Sequence, residues 1–231
     1  MSEPDAIFAG RHVVVTGAAG ALGTDVTRLL LDQGATVHAP VRSGQSLPAH
    51  ARLHLTEGVD LASEPDVTAW FAKLPVLWAS IHTVGGFAAA PLLETTLATW
   101  QQQHEINATT AFLCTREALR RMEGGEGRIV NVAARAGIEP RTAAGLSAYA
   151  ASKAALAALT QAVSEEVAAR GVLVNAVVPS IMDTPANRAS MPKADFAAWP
   201  TTADVAAVIA WLASPENRVV RGALVAVPGR S

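Results

Sequence analysis

A tyrosine and a lysine four positions apart are the residues best placed to do chemistry in this sequence. Tyr149 and Lys153 begin a segment with helical periodicity, and side chains at i and i+4 leave a helix from one face. A nearby ammonium favours the phenolate, so we expect Lys153 to lower the pKa of Tyr149 and make it a proton donor or acceptor. Tyr149 is the only tyrosine in the chain, which weakens the alternative of an ordinary surface pair.

A glycine-rich turn is the second candidate site. It joins a strand-like apolar run to a helical segment and contains Gly17, Ala18, Ala19, Gly20, Ala21, Leu22 and Gly23. Small residues let a pyrophosphate approach the backbone, and the free N–H groups at the start of a helix bind its charge. A tight connection without a ligand is the alternative that this turn alone leaves open.

Asn107 is the third candidate. It lies in a helical line with Trp100, Ala111 and Cys114, although asparagine is a poor helix former. A buried amide needs hydrogen-bond partners. The spacing is compatible with a site residue and equally with a core amide satisfied by its neighbours.

Length and composition limit the class of protein. The chain has 231 residues, of which 50% are apolar and 16% charged, which predicts one globular domain over residues 1–231. A net charge of −2 without a basic block argues against a nucleic-acid partner. Six scattered histidines without ligand spacing argue against a metal site, and the single cysteine suits the reducing cytoplasm.

One uncharged stretch has the length of a membrane-spanning helix. It runs over residues 74–93 but contains two prolines and two glycines, so we expect a buried strand followed by a loop. The first ten residues carry Glu3 and Asp5 and lack a signal pattern. We therefore expect no membrane partner, no export and a cytoplasmic location.

The elements that must position these residues alternate along the whole chain, without repeats or interdomain linkers. Strands are predicted at 12–16, 36–41, 52–56, 76–84, 128–133, 172–178 and 223–227, and long helices at about 95–122 and 148–170. Shorter helical patterns begin at Leu22, at Ser63 and near Val205. This alternation predicts an α/β fold with a parallel sheet covered on both faces, whose ligands bind at the carboxyl ends of the strands.

The longest irregular segment covers residues 179–200. It contains four prolines together with Met182, Met191, Phe196 and Trp199. Long loops in compact domains are usually lids or binding loops, so we expect this one to cover the substrate.

In this order the motifs resemble those of the short-chain dehydrogenase/reductase family over nearly the whole chain. They are the glycine-rich turn, Asp60-Leu61, Asn107, the Tyr149/Lys153 pair, and Asn175 with Pro179. The resemblance implies a Rossmann-type doubly wound parallel sheet of about seven strands, a nicotinamide cofactor, and hydride transfer coupled to proton transfer.

The resemblance also implies roles for individual residues. Tyr149 is the acid or base, Lys153 tunes it and holds the nicotinamide ribose, and Asn107 supports a water relay to Lys153. The implied cofactor contacts are Gly17, Ala19, Gly20, Ala21, Leu22, Gly23, Arg42, Asp60, Leu61, Val84, Gly85, Lys153, Pro179 and Thr184.

The chain departs from the family at the position of the active-site serine, which is Ala134. Ala21 also replaces a turn glycine, and Thr83-Val84-Gly85 stands where the family has Asn-Ala-Gly. Loss of one oxyanion donor typically costs about 2.7–4 kcal/mol, which handicaps an ordinary ketone substrate. One alternative is that the hydroxyl of Ser147 or Thr142 replaces the serine, although such loop hydroxyls are more often turn or cap residues. The other alternative is that the substrate is an already activated C=N.

Within the family, the irregular segment is similar to the substrate loop of the dihydropteridine reductase-like branch. That branch shares the Gly-Ala-Leu-Gly turn and an alanine at the serine position, and it reduces quinonoid dihydropterin. Phe87 stands in place of the branch's tryptophan. The implied substrate contacts are Phe87, Ala134, Met182, Met191 and Trp199.

The end of the second strand indicates the cofactor. An acid there binds the free ribose of NAD, whereas an arginine accommodates the 2′-phosphate of NADP. Val41 occupies the acidic position and Arg42 follows it. We therefore favour NADP(H), with NAD(H) as the alternative, although the dihydropteridine reductase branch has an acid here and favours NADH.

Three functions remain open from the sequence. The first is an NAD(P)H-dependent reductase of a small activated C=N or C=O substrate, such as a quinonoid dihydropterin. The second is a carbonyl or 3-oxoacyl reductase with a substituted oxyanion donor, and the third is an NADP(H)-binding sensor or scaffold without turnover. By resemblance we also expect a homodimer or homotetramer paired through the two long helices.

Overall fold

A computed structural model describes residues 6–230, which form a seven-stranded, all-parallel sheet in the order β3-β2-β1-β4-β5-β6-β7. The strands are β1 (His12–Thr16), β2 (Thr36–Val41), β3 (Leu53–Glu57), β4 (Ala79–His82), β5 (Gly127–Val132), β6 (Val172–Pro179) and β7 (Leu224–Val227). The predicted α/β fold is confirmed as a doubly wound sheet.

Within residues 6–230, eight α-helices connect the strands. They are α1 (Ala21–Asp32), α2 (Glu64–Phe71), α3 (Leu97–His104), α4 (Thr110–Arg121), α5 (Arg135–Ile138), α6 (Ser147–Glu166), α7 (Pro185–Ser190) and α8 (Thr202–Ala213). Short 3₁₀ turns lie at Leu92–Glu94, Pro140–Thr142, Ala168–Arg170 and Phe196–Ala198. A π-helical turn, Glu105–Thr109, joins α3 to α4.

The core lies on both faces of the sheet because successive strand residues point to opposite sides. In β1, Val13 and Val15 pack in the same apolar cluster as residues of α1 and α8. Val14 packs in a second cluster with residues of α2, α4 and α6. All residues of β5 and β6 are buried, which explains their nearly continuous apolar runs.

Several predicted boundaries are wrong in an informative way. The fourth strand covers only Ala79–His82 instead of 76–84. Before it, the N–H of Leu77 donates to the carbonyl oxygen of Arg121, and after it, the N–H of Gly86 donates to Asn107 Oδ1 instead of to a strand. The long helix predicted at 95–122 is interrupted by the π-helical turn, and the helix predicted at 148–170 ends at Glu166. The irregular segment 179–200 contains α7 and a 3₁₀ turn.

The uncharged stretch 74–93 is a short strand with loops on both sides, and no helix in the described range could cross a membrane. Glu3 and Asp5, on which part of the expectation about export rests, lie outside the described residues.

The connection from β2 to β3 positions Arg42. Residues 42–52 contain no helix, and Leu47 packs against the core beside α1. Arg42 is exposed directly after β2. The carboxyl end of β2 is therefore open to a ligand.

Three histidines form a ladder across the edge of the sheet. His38 on β2 is paired in register with His54 on β3, and their rings stack 5.1 Å apart. Nδ1 of His12 lies 3.0 Å from Nε2 of His38. Burial, followed by repulsion from His12 and His54, lowers the pKa of His38 to about 4.

The histidine ladder predicts a loss of stability in acid. Between about pH 6.5 and pH 4 the unfolded chain binds a proton at His38 that the native chain does not bind, so stability falls as the pH drops through this window. His38→Asn should flatten the decline when urea unfolding is measured at several pH values. His50→Asn, which replaces an exposed imidazole, is the control. An unchanged slope in His38→Asn would contradict the assignment.

Candidate active site

The predicted site residues meet at the carboxyl edge of the sheet. The turn 17–23 follows β1, residues 83–86 follow β4, Ala134 follows β5, and the segment from Ser180 follows β6. α6 carries Tyr149 and Lys153 in its first two turns. The parallel order of the strands brings these segments together.

Two glycines of the turn are required by close backbone packing. Gly17 has φ +73°, and a Cβ there would lie 2.8 Å from Oγ1 of Thr83. A Cβ on Gly23 would overlap the carbonyl oxygen of Gly17. Ala21 stands at the exposed first position of α1, so its methyl group is accommodated without a clash in the fold.

The start of α1 fits an anion. Gly20 is its N-cap, and no side chain of the described residues caps its first turn. In contrast, Ser63, Thr96 and Thr201 cap α2, α3 and α8. Free N–H groups at the positive end of a 12-residue helix match a pyrophosphate, so this turn fits the implied dinucleotide.

Lys153 is buried and bound to the sheet. Its Nζ donates a hydrogen bond of 2.7 Å to the carbonyl oxygen of Val132, the last residue of β5. The side chain is 5% exposed, and burial lowers its pKa to about 8. The ammonium therefore remains largely protonated near neutral pH but close to its titration.

The expected lowering of the pKa of Tyr149 is wrong for this structure. Burial raises the pKa of Tyr149 to about 12, and no charged neighbour among residues 6–230 offsets this shift. Lys153 directs its ammonium to the Val132 carbonyl, so desolvation outweighs the expected effect of the cation. The ring of Phe87 meets the Tyr149 ring edge-on at 5.0 Å between centroids.

Asn107 is both a satisfied core amide and a neighbour of the site. It is fully buried in the π-helical turn; its Oδ1 accepts from the backbone N–H of Gly86, and its Nδ2 donates to Gly86 O and to Ser152 Oγ. A Cβ on Gly85 would lie 2.9 Å from Asn107 Oδ1 and 3.3 Å from Lys153 Nζ. Asn107 thus fixes the 83–86 loop against α6, while its part in a water relay stays a prediction.

The missing serine leaves an apolar position. Ala134 is buried at the start of α5 and offers no hydroxyl. Thr142 is unsuited as a replacement because its hydroxyl donates to the carbonyl oxygen of Glu139. The Oγ of Ser147 is buried and has no hydrogen-bond partner within residues 6–230. Ser147 is therefore the remaining candidate donor.

The other predicted cofactor residues occupy mixed environments. Asp60 accepts from the backbone N–H of Ala62 and shapes the turn after β3, while Leu61 packs against the core. Val84 is half-buried in the loop after β4, and Pro179 ends β6. Thr184 caps α7 by accepting from the N–H of Asn187.

The segment after β6, predicted to be a substrate loop, is anchored by an ion pair that the sequence did not indicate. Arg188 donates through Nε and Nη2 to both carboxylate oxygens of Asp183, and its guanidinium lies 4.9 Å from the Phe196 ring centre. The five-residue separation matches no helical spacing, so the sequence contained no signal for the pair. The loop is therefore cross-linked by its own side chains.

The predicted substrate contacts on this loop differ in exposure. Met182 and Met191 are half-buried, and the Met182 carbonyl accepts from Asn187 Nδ2. Trp199 is only 7% exposed and packs beside Phe196. Trp199 thus anchors the loop in this structure, and its contact with substrate stays a prediction.

Two open grooves of about 590 and 490 Å³ lie at the opposite, amino edge of the sheet. The larger groove is lined by residues around 116–125, and the smaller one is lined by residues 10–12, 75–78 and 123–126. Neither groove contains a residue of the candidate site. The shape of the surface alone would therefore indicate the wrong position for the active site.

Comparisons with known proteins agree with this geometry. The family profile described as short chain dehydrogenase matches residues 11–195. The chain is 37% identical to cis-4-hydroxycyclohexanecarboxylate dehydrogenase of Sinomonas cyclohexanicum, over 96% of each protein. It is 34% identical to 2-dehydro-3-deoxy-L-rhamnonate dehydrogenase (NAD(+)) of a Sphingomonas species, over 77% of this chain and 74% of the relative.

A solved structure is similar throughout. The crystal structure of BdcA in complex with NADPH superposes with a TM-score of 0.87 at 27% identity, covering 97% of this chain and 95% of that chain.

The raised pKa of Tyr149 can be measured directly because the chain has a single tyrosine. We expect no phenolate absorbance up to about pH 11 while circular dichroism shows a native fold, and titration near pH 10 in urea. Tyr149→Phe provides the blank. Phenolate forming near pH 8 in the native protein without cofactor would contradict the dominance of burial.

Proposed function

Because the chain belongs to the short chain dehydrogenase family, we propose that it is an NADP(H)-dependent oxidoreductase that reduces a small planar substrate with an activated C=N or C=O bond. The coarser activity, NAD(P)-dependent oxidoreduction, follows from the family. The cofactor preference and the substrate class are the proposed parts.

Each part of the site has a task in this reaction. A bound nicotinamide supplies the hydride. The N–H groups at the start of α1 bind the pyrophosphate, and Arg42, which forms no ion pair within the described part of the chain, binds the 2′-phosphate. The NADPH complex of the similar BdcA structure supports this preference, whereas the NAD(+) in the name of the Sphingomonas relative supports the alternative.

Tyr149 donates its phenolic proton to the substrate oxygen or nitrogen as the neighbouring carbon receives hydride. A phenol with a pKa near 12 is protonated at neutral pH, so the site is ready for reduction. Lys153 lies one turn after Tyr149 on α6, and its positive charge is proposed to favour the phenolate once the substrate has taken the proton. The alkaline limit of reduction should then follow the titration of Lys153.

Ala134 is the observation that carries the substrate assignment. The position that would polarise a carbonyl holds a methyl group, and the Thr142 hydroxyl is engaged elsewhere. A conjugated C=N, as in a quinonoid dihydropterin, needs less polarisation than an unactivated ketone. The exposed Phe87 ring beside Tyr149 gives a flat substrate an aromatic surface.

A second candidate is the oxidation or reduction of a small hydroxy or oxo carboxylate. Two relatives at 34% and 37% identity are named for substrates of this kind. In this case the Ser147 hydroxyl, which has no partner among the residues that the structure describes, would replace the missing donor. The two candidates therefore differ in their need for Ser147.

We also propose that two copies pair through α3, α4 and α6. α3 and its approach expose Leu93, Leu97 and Trp100, with exposures of 100%, 70% and 39%, and Phe112 on α4 is 42% exposed. Exposed apolar side chains favour burial against a second copy. The cytoplasmic location stays a prediction, supported by the single, buried Cys114.

Oxidation of NADPH with quinonoid dihydropterin and with a panel of cyclic oxo carboxylates tests the function. Tyr149→Phe should lose turnover by at least about 100-fold and keep NADPH binding. Ser147→Ala should leave dihydropterin reduction nearly unchanged but slow carboxylate turnover about 100-fold or more, with Thr142→Ala as the control. Cofactor binding without turnover on either class would overturn the proposal in favour of a sensor.

Arg42 should determine cofactor choice. Arg42→Ala removes the charge proposed to bind the 2′-phosphate, so the KM for NADPH should rise about 10- to 100-fold while that for NADH changes little. Arg218→Ala removes an exposed arginine elsewhere and is the matched control. An equal change in the KM for NADPH and for NADH would show that Arg42 does not recognise the 2′-phosphate.

A further inference from the structure

A row of buried polar side chains runs from β4 through β5 to α6, next to the candidate active site. Oγ of Ser80 lies 2.8 Å from His82 Nε2, and His82 Nδ1 lies 2.8 Å from Asn131 Oδ1. Asn131 Nδ2 lies 2.9 Å from Thr160 Oγ1, which lies 2.8 Å from the Leu156 carbonyl oxygen. The four side chains are at most 2% exposed.

The direction of every bond in this row follows from its last member. A carbonyl oxygen only accepts, so Thr160 donates to Leu156 and accepts from Asn131 Nδ2. Asn131 Oδ1 is then the acceptor for His82. His82 must carry its proton on Nδ1, and its bare Nε2 accepts from Ser80.

The imidazole remains neutral in this position. Burial lowers the pKa of His82 to about 4, although the bond to Asn131 acts in the opposite direction. The pattern of donors is therefore constant across the working pH range. Thr115 Oγ1, on α4, lies farther from His82 Nδ1 at 3.4 Å and is outside the row.

The row connects three segments that form the site. His82 directly precedes Thr83, whose hydroxyl donates to the Thr16 carbonyl beside the glycine-rich turn. Asn131 directly precedes Val132, the acceptor for Lys153. Leu156 and Thr160 lie one and two turns after Lys153 on α6. Each end of the row is thus close along the chain to a site residue.

We propose that His82 is a positioning residue for Lys153: through Asn131 and Thr160 it sets the register between β5 and α6 that places the Lys153 ammonium on the Val132 carbonyl. A neutral imidazole suits this task because its two ring nitrogens accept on one side and donate on the other. The proposal rests on the proposed function only in treating Lys153 as the residue whose position matters for turnover.

A merely structural role for His82 makes a different prediction. Loss of the row would then lower the free energy of unfolding without changing the environment of Lys153. A positioning role requires the ammonium to move from its buried carbonyl partner toward water. The neighbours of the Lys153 ammonium are Val132 O, Asn107 Oδ1 across Gly85, and Tyr149 one turn earlier. Burial alone lowers the pKa of Lys153.

Lysine titration by NMR tests the proposal without any substrate. The chain has only three lysines, Lys73, Lys153 and Lys193, and the other two are exposed, so ¹³C-labelled lysine gives three assignable signals. Lys153 should titrate near pH 8 in the unaltered protein. In His82→Phe, which keeps a ring but removes both hydrogen bonds, its pKa should rise by about one unit or more. Thr115→Val should leave it unchanged.

Steady-state kinetics with NADPH provides the second readout. We expect His82→Phe to lower kcat at least about 10-fold, with a smaller change in the KM for NADPH, and to move the alkaline limit of kcat upward with the Lys153 titration. His82→Asn keeps a donor toward Asn131 and should recover part of kcat. If His82→Phe does not fold, Thr160→Val interrupts the row at its other end and takes the same measurements.

The outcomes separate the two proposals. A lower melting temperature with unchanged Lys153 titration and unchanged kcat overturns the positioning role. If the unaltered protein shows no turnover, the proposed function fails, while the lysine titration still decides whether His82 positions Lys153.

Discussion

A buried ammonium held by one backbone carbonyl is the constraint on which the site depends. Lys153 is 5% exposed, and its bond to the Val132 oxygen requires the end of β5 and the second turn of α6 to stay in register. Burying such a charge is costly, and the lowered pKa shows that cost. Asn107 closes the other side by fixing the glycine loop 85–86, where no side chain fits between its amide and the ammonium.

Burial also sets the protonation of Tyr149, the proposed proton donor. Tyr149 lies in a desolvated position that raises its pKa, so the phenol keeps its proton until a positive charge or a substrate atom changes the balance. The uncapped start of α1 provides the positive potential at the opposite side of the site. The start of α1 and the first turn of α6 thus place a positive potential and a protonated phenol at different parts of one sheet edge.

Much of this architecture was predictable from local patterns. The apolar runs of β1 and β2 match their strands residue by residue, and the glycine turn, the Tyr149/Lys153 spacing and Ala134 were correctly placed after their strands. These features depend on residues close in sequence, because strand and helix periodicity and the rigid needs of a tight turn are local. The family resemblance added a doubly wound sheet of about seven strands, and the comparisons confirmed the family.

The sequence by itself therefore determined the fold, the residues at the carboxyl edge and the absence of a hydroxyl at position 134. Only the tertiary structure decided the pKa values and the hydrogen-bond partners of these groups. The pKa of Tyr149 moved opposite to expectation because desolvation comes from distant segments, and the row from Ser80 to Thr160 joins residues up to 80 positions apart. Such contacts leave no periodic trace in a sequence, because they join different elements that lie far apart in the chain.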